Sequence, residues 1–351
     1  MNLSAKEISK LPNILDVMEI LAESENSDRI KNAQELHPWK MLEEGHYMPI
    51  ASDNDKNLVK FLPTGPCFGK YYRGQNQYYS CCKPTLLRKK ALNDRMLSRL
   101  KANEFQIQIL THPIIQELVQ HGVDVNLEAL AQHYGFDTKI LDLTNDKWVA
   151  AFFATTQYKD GDYYPVGSDF GEGYGVLYVA KSFLKPFNSA NFELLMARTD
   201  SIGFQFFPRP TSQSAYGFLM NDGENFDDLV LFDKFFFRHD QKASEWVFEI
   251  SYRQKKYFPN DTLTQIANCI LQDNGVSSDA VLRCQKYDYP KSSVDELKEI
   301  CVSQGFEIYD HSKHGFSDEM IKNDVEEWES YGRNVFAHKT ITPRLVSSYQ
   351  K

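Results

Sequence analysis

The sequence holds six cysteines, at 67, 81, 82, 269, 284 and 301, and none sits in a Cys-x-x-Cys pair or at another zinc-like spacing. That excludes a sequence-legible structural zinc site and leaves free thiols as the plain expectation. Long hydrophobic runs are missing as well; no stretch approaches the length of about 20 residues that a membrane-spanning helix requires. Positive charge is in deficit, with 39 Lys and Arg against 48 Asp and Glu and a formal charge of −9. This argues against a dedicated nucleic-acid binder, though not against a local basic patch. There is no Gly-x-x-x-x-Gly-Lys loop for a phosphotransferase, and no Ser or Cys has the flanking signature of a nucleophile. Internal repeats and low-complexity segments are absent too. Met1–Glu7 lacks the apolar core of a signal peptide, so a cytoplasmic protein is expected.

What is present is ordinary in bulk and uneven in detail. At 351 residues, with 42% hydrophobic and 25% charged, the chain is long enough for a large soluble core. Aromatics make up 13%, and Phe and Tyr crowd the segments that carry the chemistry. An amphipathic helix is expected from Ile14 to Leu21, followed by a polar break at Glu23–Arg29. Pro63, Gly65, Pro66 and Gly69 then form turns leading to Arg73. Pro84–His121 reads as mostly helical, with a basic run of Lys83, Arg88, Lys89, Lys90, Arg95, Arg99 and Lys101. That run is either a solvated helix face or a cationic rim for a phosphate-bearing ligand. A helix over Leu127–Gln132 stops at Gly135. Strands are expected at Gly175–Ala180, along Phe204–Pro210 and at Trp246–Ile250, with helices at Leu263–Leu271, Val294–Val302 and Met320–Tyr331. Gly171–Gly175 precedes a strand instead of following one, so it reads as a loop and not as a dinucleotide fingerprint.

Three short blocks carry the functional signal. Tyr72-Arg73-Gly74-Gln75 puts a guanidinium beside a residue without a side chain. It is answered by Gln132-His133-Tyr134-Gly135 and by Leu141-Asp142-Leu143-Thr144, the latter running into Trp148–Ala154. Together they resemble the FRG domain family, named for a Phe-Arg-Gly triplet, with Tyr72 in place of Phe and Leu143 where a Trp is usual. The resemblance spans roughly residues 60–300 and implies a division into a helical extension (1–56), the family-like domain (57–310) and a tail with a short helix (311–351).

A second resemblance is to the ADP-ribosyltransferase plan of Arg, hydroxyl and Glu. Its counterparts here are Arg73, Thr144 and Glu245, the last in Ala243–Phe248. Asp142-Leu143-Thr144 replaces the usual serine triplet, and Ala243 stands where arginine-modifying members carry Glu or Gln. The implied fold is α+β, with a split, strand-rich core elaborated by helices at both ends. The implied activity is cleavage of the nicotinamide–ribose bond of NAD, with no metal, and with transfer to a protein or nucleic-acid acceptor or to water. A toxin or phage-defence role fits the same resemblance.

In that scheme Glu245 stabilises the oxocarbenium-like ribose as charge builds. Arg73 grips the pyrophosphate through paired charge-assisted bonds. Thr144 floors the ribose, and Tyr134 stacks on the nicotinamide. Gly74, Gln75, His133 and Asp142 complete the cofactor-binding set. Arg209, Gln213 and the Arg238–Gln241 segment are weaker candidates for the pocket or an acceptor loop. Plainer roles stay open: an Arg73–Asp142 bridge, a packing histidine at 133, a core Tyr134, a helix-capping Thr144 and a surface Glu245. The rival function is a non-catalytic module recognising a nucleotide or a phosphate. Oligomeric state and acceptor are not legible.

Overall fold

The computed structural model describes residues 3–22, 47–52, 57–63, 71–180, 198–202, 206–229 and 231–333. The polar break at 23–29, the turns at 65, 66 and 69, and the tail past 333 lie outside the described residues. In chain order come α1 (Ala5–Ile8), α2 (14–22) and the strand pair β1 (Tyr47–Ala51) and β2 (Val59–Pro63). Next are β3 (Tyr72–Gln75), α3 (Thr85–Arg88), α4 (Leu92–Thr111), α5 (Pro113–Gln120) and α6 (Leu127–His133). Then follow β4 (Ile140–Thr144), α7 (Lys147–Thr155), the hairpin β5 (Thr156–Lys159) and β6 (Asp162–Pro165), and β7 (Tyr174–Ala180). The last strands of the main sheet are β8 (Thr199–Ser201), β9 (Ala215–Leu219) and β10 (Phe232–Arg238).

Local chemistry sets the ends of the elements that matter most. α6 opens where the Asn126 side chain accepts from the Ala129 amide at 2.9 Å, and it stops at Gly135, whose φ of +91° suits glycine. α7 opens on Asp146, which accepts from the Trp148 amide at 2.8 Å. It closes where the Thr155 and Thr156 hydroxyls donate back to the carbonyls of Ala151 and Phe152 at 2.8 and 2.7 Å.

The main sheet runs in the order β10-β7-β3-β4-β9-β8, and every neighbouring pair is antiparallel. Its two halves are unequally joined. Within the halves, β3 meets β7 over four residue pairs and β4 meets β9 over five. Between them, β3 and β4 share only Tyr72↔Thr144. One face of the sheet, through Tyr72, Leu177 and Phe237, packs under α7 and α2. The other buries Leu141, Leu143, Val176, Tyr178 and Phe218. α4, α5 and α6 share a further core, and α4 also packs against later helices through Met96 and Leu100. In that helical layer Arg99 is buried and bridges Glu128 at 2.6 Å and Asp288 at 3.0 Å.

The α+β expectation holds, with helix well ahead of strand at 48% against 17%. Two strand expectations fail. Trp246–Ile250 belongs to a helix, Gln241–Ile250, because the Asp240 side chain caps it by accepting from the Ala243 amide at 3.0 Å, and Ala243 and Val247 bury one face. The latter part of Phe204–Pro210 enters a short helix, Pro208–Ser212. The C-terminal helices lie at Thr262–Gln272, Val294–Ser303 and Asp318–Glu327, as expected. A further helix at Ser278–Tyr287 lies between them, and a parallel strand pair, Gly275–Ser277 with Glu307–Tyr309, was not expected.

Candidate functional site

Where β3 and β4 part, the sheet opens a cleft of about 350 Å³. Beyond Tyr72↔Thr144 the β4 edge has no strand partner on this side, and the Arg73 side chain takes over: its Nη1 donates to the Asp142 carbonyl at 2.8 Å. The guanidinium therefore bridges to backbone, not to the Asp142 carboxylate as a simple salt bridge would. Gly74 is required by packing, not by conformation. A Cβ there would lie 1.8 Å from the Ala150 carbonyl oxygen of α7, so the helix can rest directly on β3.

The second and third sequence blocks meet at Asp142. Gln132 Nε2 donates to Asp142 Oδ2 at 3.3 Å, and the Thr138 hydroxyl in turn donates to Gln132 Oε1. His133 Nδ1 faces Asp142 Oδ1 at 3.4 Å. His133 is only 6% exposed, and this burial holds its pKa below the ordinary imidazole value. The nearby Arg209 charge pushes the same way, against the pull of Asp142. Four polar atoms in this region are buried without a hydrogen bond: Arg73 Nε, Gln75 Oε1, His133 Nδ1 and Asp142 Oδ1. Native proteins seldom leave such groups unsatisfied, because each costs about 1–3 kcal/mol. All four residues line the cleft.

Arg73, Lys83 and Arg88 contribute three fixed cations to the cleft, and Asp142 is its one carboxylate among the described residues. In a chain of formal charge −9 this is a local inversion of sign. Phe153, Tyr158 and Tyr163 supply an aromatic wall, with the rings of Tyr158 and Tyr163 meeting at a tilt of 53° across the β5–β6 hairpin, centroids 5.0 Å apart. Tyr158 is 62% exposed, whereas burial pushes the Tyr163 phenol up to about 12. This hairpin was not among the segments expected at the site.

Several expected site residues lie elsewhere. Glu245 sits on the exposed side of the helix Gln241–Ile250, accepts from Gln241 Nε2 at 2.7 Å and does not line the cleft. It opens no strand, so the Arg73, Thr144 and Glu245 set does not converge. Tyr134 is core: its hydroxyl donates to Asp261 at 2.6 Å, its ring packs on Phe105, and burial raises its pKa well above that of an ordinary phenol. Thr144 does line the cleft, but its hydroxyl is committed, donating to the Gln213 carbonyl at 2.7 Å and accepting from the Asp146 amide at 3.0 Å. The cap of α7 is Asp146 and not Thr144.

Gln213 reaches the cleft wall, while Arg209 lies outside the lining, between the rings of Tyr134 and Phe258. The Arg238–Gln241 segment is no open acceptor loop. His239 is buried and bonded to the Asn76 carbonyl at 2.8 Å, and Asp240 caps the following helix. Among the described residues there is no cluster of three or more metal-ligating side chains, and no helix is long and apolar enough to cross a membrane.

No curated protein and no solved structure matches the chain. The model of the FRG domain family matches residues 69–163, and every residue lining the cleft except Gln213 falls inside that span. The stretch of chain that builds the cleft is thus the stretch that carries the FRG domain signature.

Proposed function

We propose that the cleft binds a phosphorylated nucleotide, NAD in the first instance, and that cleavage of the nicotinamide–ribose bond turns on Asp142. The observation that carries this reading is the pair of buried, unbonded polar atoms on Arg73 and Gln75 beside the His133–Asp142 contact, all in one cationic cleft with an aromatic wall. A guanidinium whose Nε lacks a partner offers a phosphate a charge-assisted bond that a lysine would not reproduce geometrically. The rings of Phe153, Tyr158 and Tyr163 suit a flat heterocycle.

Breaking the nicotinamide–ribose bond builds positive charge on the ribose, and a fixed carboxylate stabilises that charge most when it is greatest. Asp142 is the carboxylate in place, oriented by Gln132 and faced by His133. Electrons of the breaking C–N bond leave with nicotinamide, and water or an acceptor nucleophile adds to the ribose carbon and loses its proton.

The second reading is a recognition module without turnover, and the position of Glu245 outside the cleft favours it. One experiment separates the two. NAD binding by calorimetry and nicotinamide release by chromatography are compared in wild type, Arg73→Ala, Asp142→Asn and Glu245→Gln. The expected pattern is binding lost in Arg73→Ala, release lost with binding kept in Asp142→Asn, and both kept in Glu245→Gln. Binding without release in the wild type selects the recognition module. Release that depends on Glu245 and not on Asp142 overturns the assignment of the carboxylate, and absence of binding overturns the nucleotide cleft.

A further inference from the structure

We infer that the ligand of this cleft carries at least two phosphates, one at Arg73 and the next at Lys83 and Arg88 on the rim. The inference rests on the nucleotide reading of the cleft and adds the residues that take the second phosphate.

It starts from the basic run of the sequence, which the structure divides in two. Of the five members outside the cleft lining, three are neutralised by ion pairs, and Lys90 is exposed without one among the described residues. Lys89 pairs with Asp137 at 2.8 Å, Arg95 with Asp222 at 2.9 Å, and Arg99 with Glu128 and Asp288. Lys101 donates to the Leu271 carbonyl at 2.7 Å. Lys83 and Arg88 line the cleft instead, and neither has an ion pair among the described residues; the one side-chain bond of Arg88 goes to the Thr85 hydroxyl at 3.2 Å. Surface carboxylates are abundant in a chain of charge −9, so two unpaired cations at one opening are not explained by a shortage of partners.

The segment that carries them is pinned. The Cys82 amide donates to Asn225 Oδ1 at 2.8 Å, the Phe226 amide donates to the Cys82 carbonyl at 2.9 Å, and Leu86 and Leu87 are buried. Lys83 and Arg88 are therefore held at the rim by backbone that is already paid for in packing, and they require no loop to order. Deeper in, Arg73 Nε and Gln75 Oε1 are buried without a hydrogen bond, which places an independent polar demand at the inner end. A monophosphate would satisfy one end of this arrangement. A diphosphate satisfies both.

The test is calorimetric titration of AMP and of ADP into wild type, Arg73→Ala and the double variant Lys83→Ala/Arg88→Ala, at low ionic strength so that screening does not mask the rim. Arg88 is exposed and Lys83 half-buried, and neither has an ion pair among the described residues, so their truncation leaves the fold intact, which far-UV circular dichroism checks. ADP is expected to bind wild type about tenfold more tightly than AMP, the scale of one added charge-assisted contact. The double variant is expected to bind the two equally, with AMP within about twofold of its wild-type affinity, and Arg73→Ala to weaken both. Equal wild-type affinities, or a double variant that weakens AMP and ADP by the same factor, overturn the two-phosphate inference and leave the nucleotide cleft standing. Failure of wild type to bind AMP, ADP or NAD overturns both.

Discussion

Replacing Gly74 with alanine tests the packing that shapes the cleft, whatever its ligand. The added Cβ would meet the Ala150 carbonyl oxygen at 1.8 Å, the Ala150 carbonyl carbon at 2.8 Å and Ala154 Cβ at 2.9 Å. Real Cβ contacts essentially never fall under 3.0 Å, so α7 and β3 must separate by about 1.2 Å. The obstacle is helix backbone, which cannot rotate aside as a side-chain tip would. Overpacking of this kind costs about 3 kcal/mol, and the rigidity of the obstacle puts this site at the upper end. With an unfolding entropy of about 2.1 cal/mol/K per residue, the melting temperature should fall by about 4 °C. Urea denaturation gives the free energy directly.

A matched control is Gly223→Ala, where φ is +84° but nothing lies within 4 Å; it should cost about 1 kcal/mol, from backbone conformation alone. Because Val149, Ala150 and Phe153 of α7 line the cleft, Gly74→Ala should weaken ligand binding as well, and Gly223→Ala should not. A Gly74→Ala protein within about 1 kcal/mol of wild type would refute the claim that α7 rests on β3 through this position.

Further outcomes concern charge and hydrogen bonding. Burial depresses the pKa of His133 and of His239, so the unfolded chain binds more protons than the folded one as the pH drops below roughly 6.5. Stability should be full above that pH and fall on acidification, and His133→Asn should flatten part of the slope in urea midpoints; an unchanged slope counts against burial as the cause. Arg99→Ala strands Glu128 and Asp288 in the helical layer and should cost about 3 kcal/mol or more by urea denaturation, whereas a loss under about 1 kcal/mol would mean that water replaces the guanidinium. Thr144→Val removes both bonds of the hydroxyl and should cost about 1–3 kcal/mol, while Thr144→Ser should recover most of it; equal losses in both variants would point to the methyl group instead.

Local signals served best where one residue decides a backbone event. Gly135 ends α6 and the apolar run after Asp146 forms α7, both as the residues led one to expect. Arg73, Gly74, Gln75, His133 and Asp142 were read as one site from three separated blocks, and they do line one cleft. The failure at Glu245 came from weighing the apolar triplet Trp246–Phe248 above Asp240, a good capping residue three positions before Ala243. Taken alone, a short apolar run does not distinguish strand from helix. Tyr134 was misplaced for a different reason. His133 is the last residue of α6 and Tyr134 its non-helical C-cap, so adjacency in the box sends one side chain to the cleft and the other to the core. The aromatic wall was illegible because the β5–β6 hairpin joins the cleft only through tertiary packing.

The single residue pair between β3 and β4 also sets how the sheet bears load. A force that draws the two halves apart meets four and five pairs inside them, but one pair and one guanidinium bond at the seam. Backbone amides on the facing edges of β3 and β4 should therefore exchange with deuterium sooner than those shared by β4 and β9. The sheet has a built-in line of parting, and that line runs through Arg73.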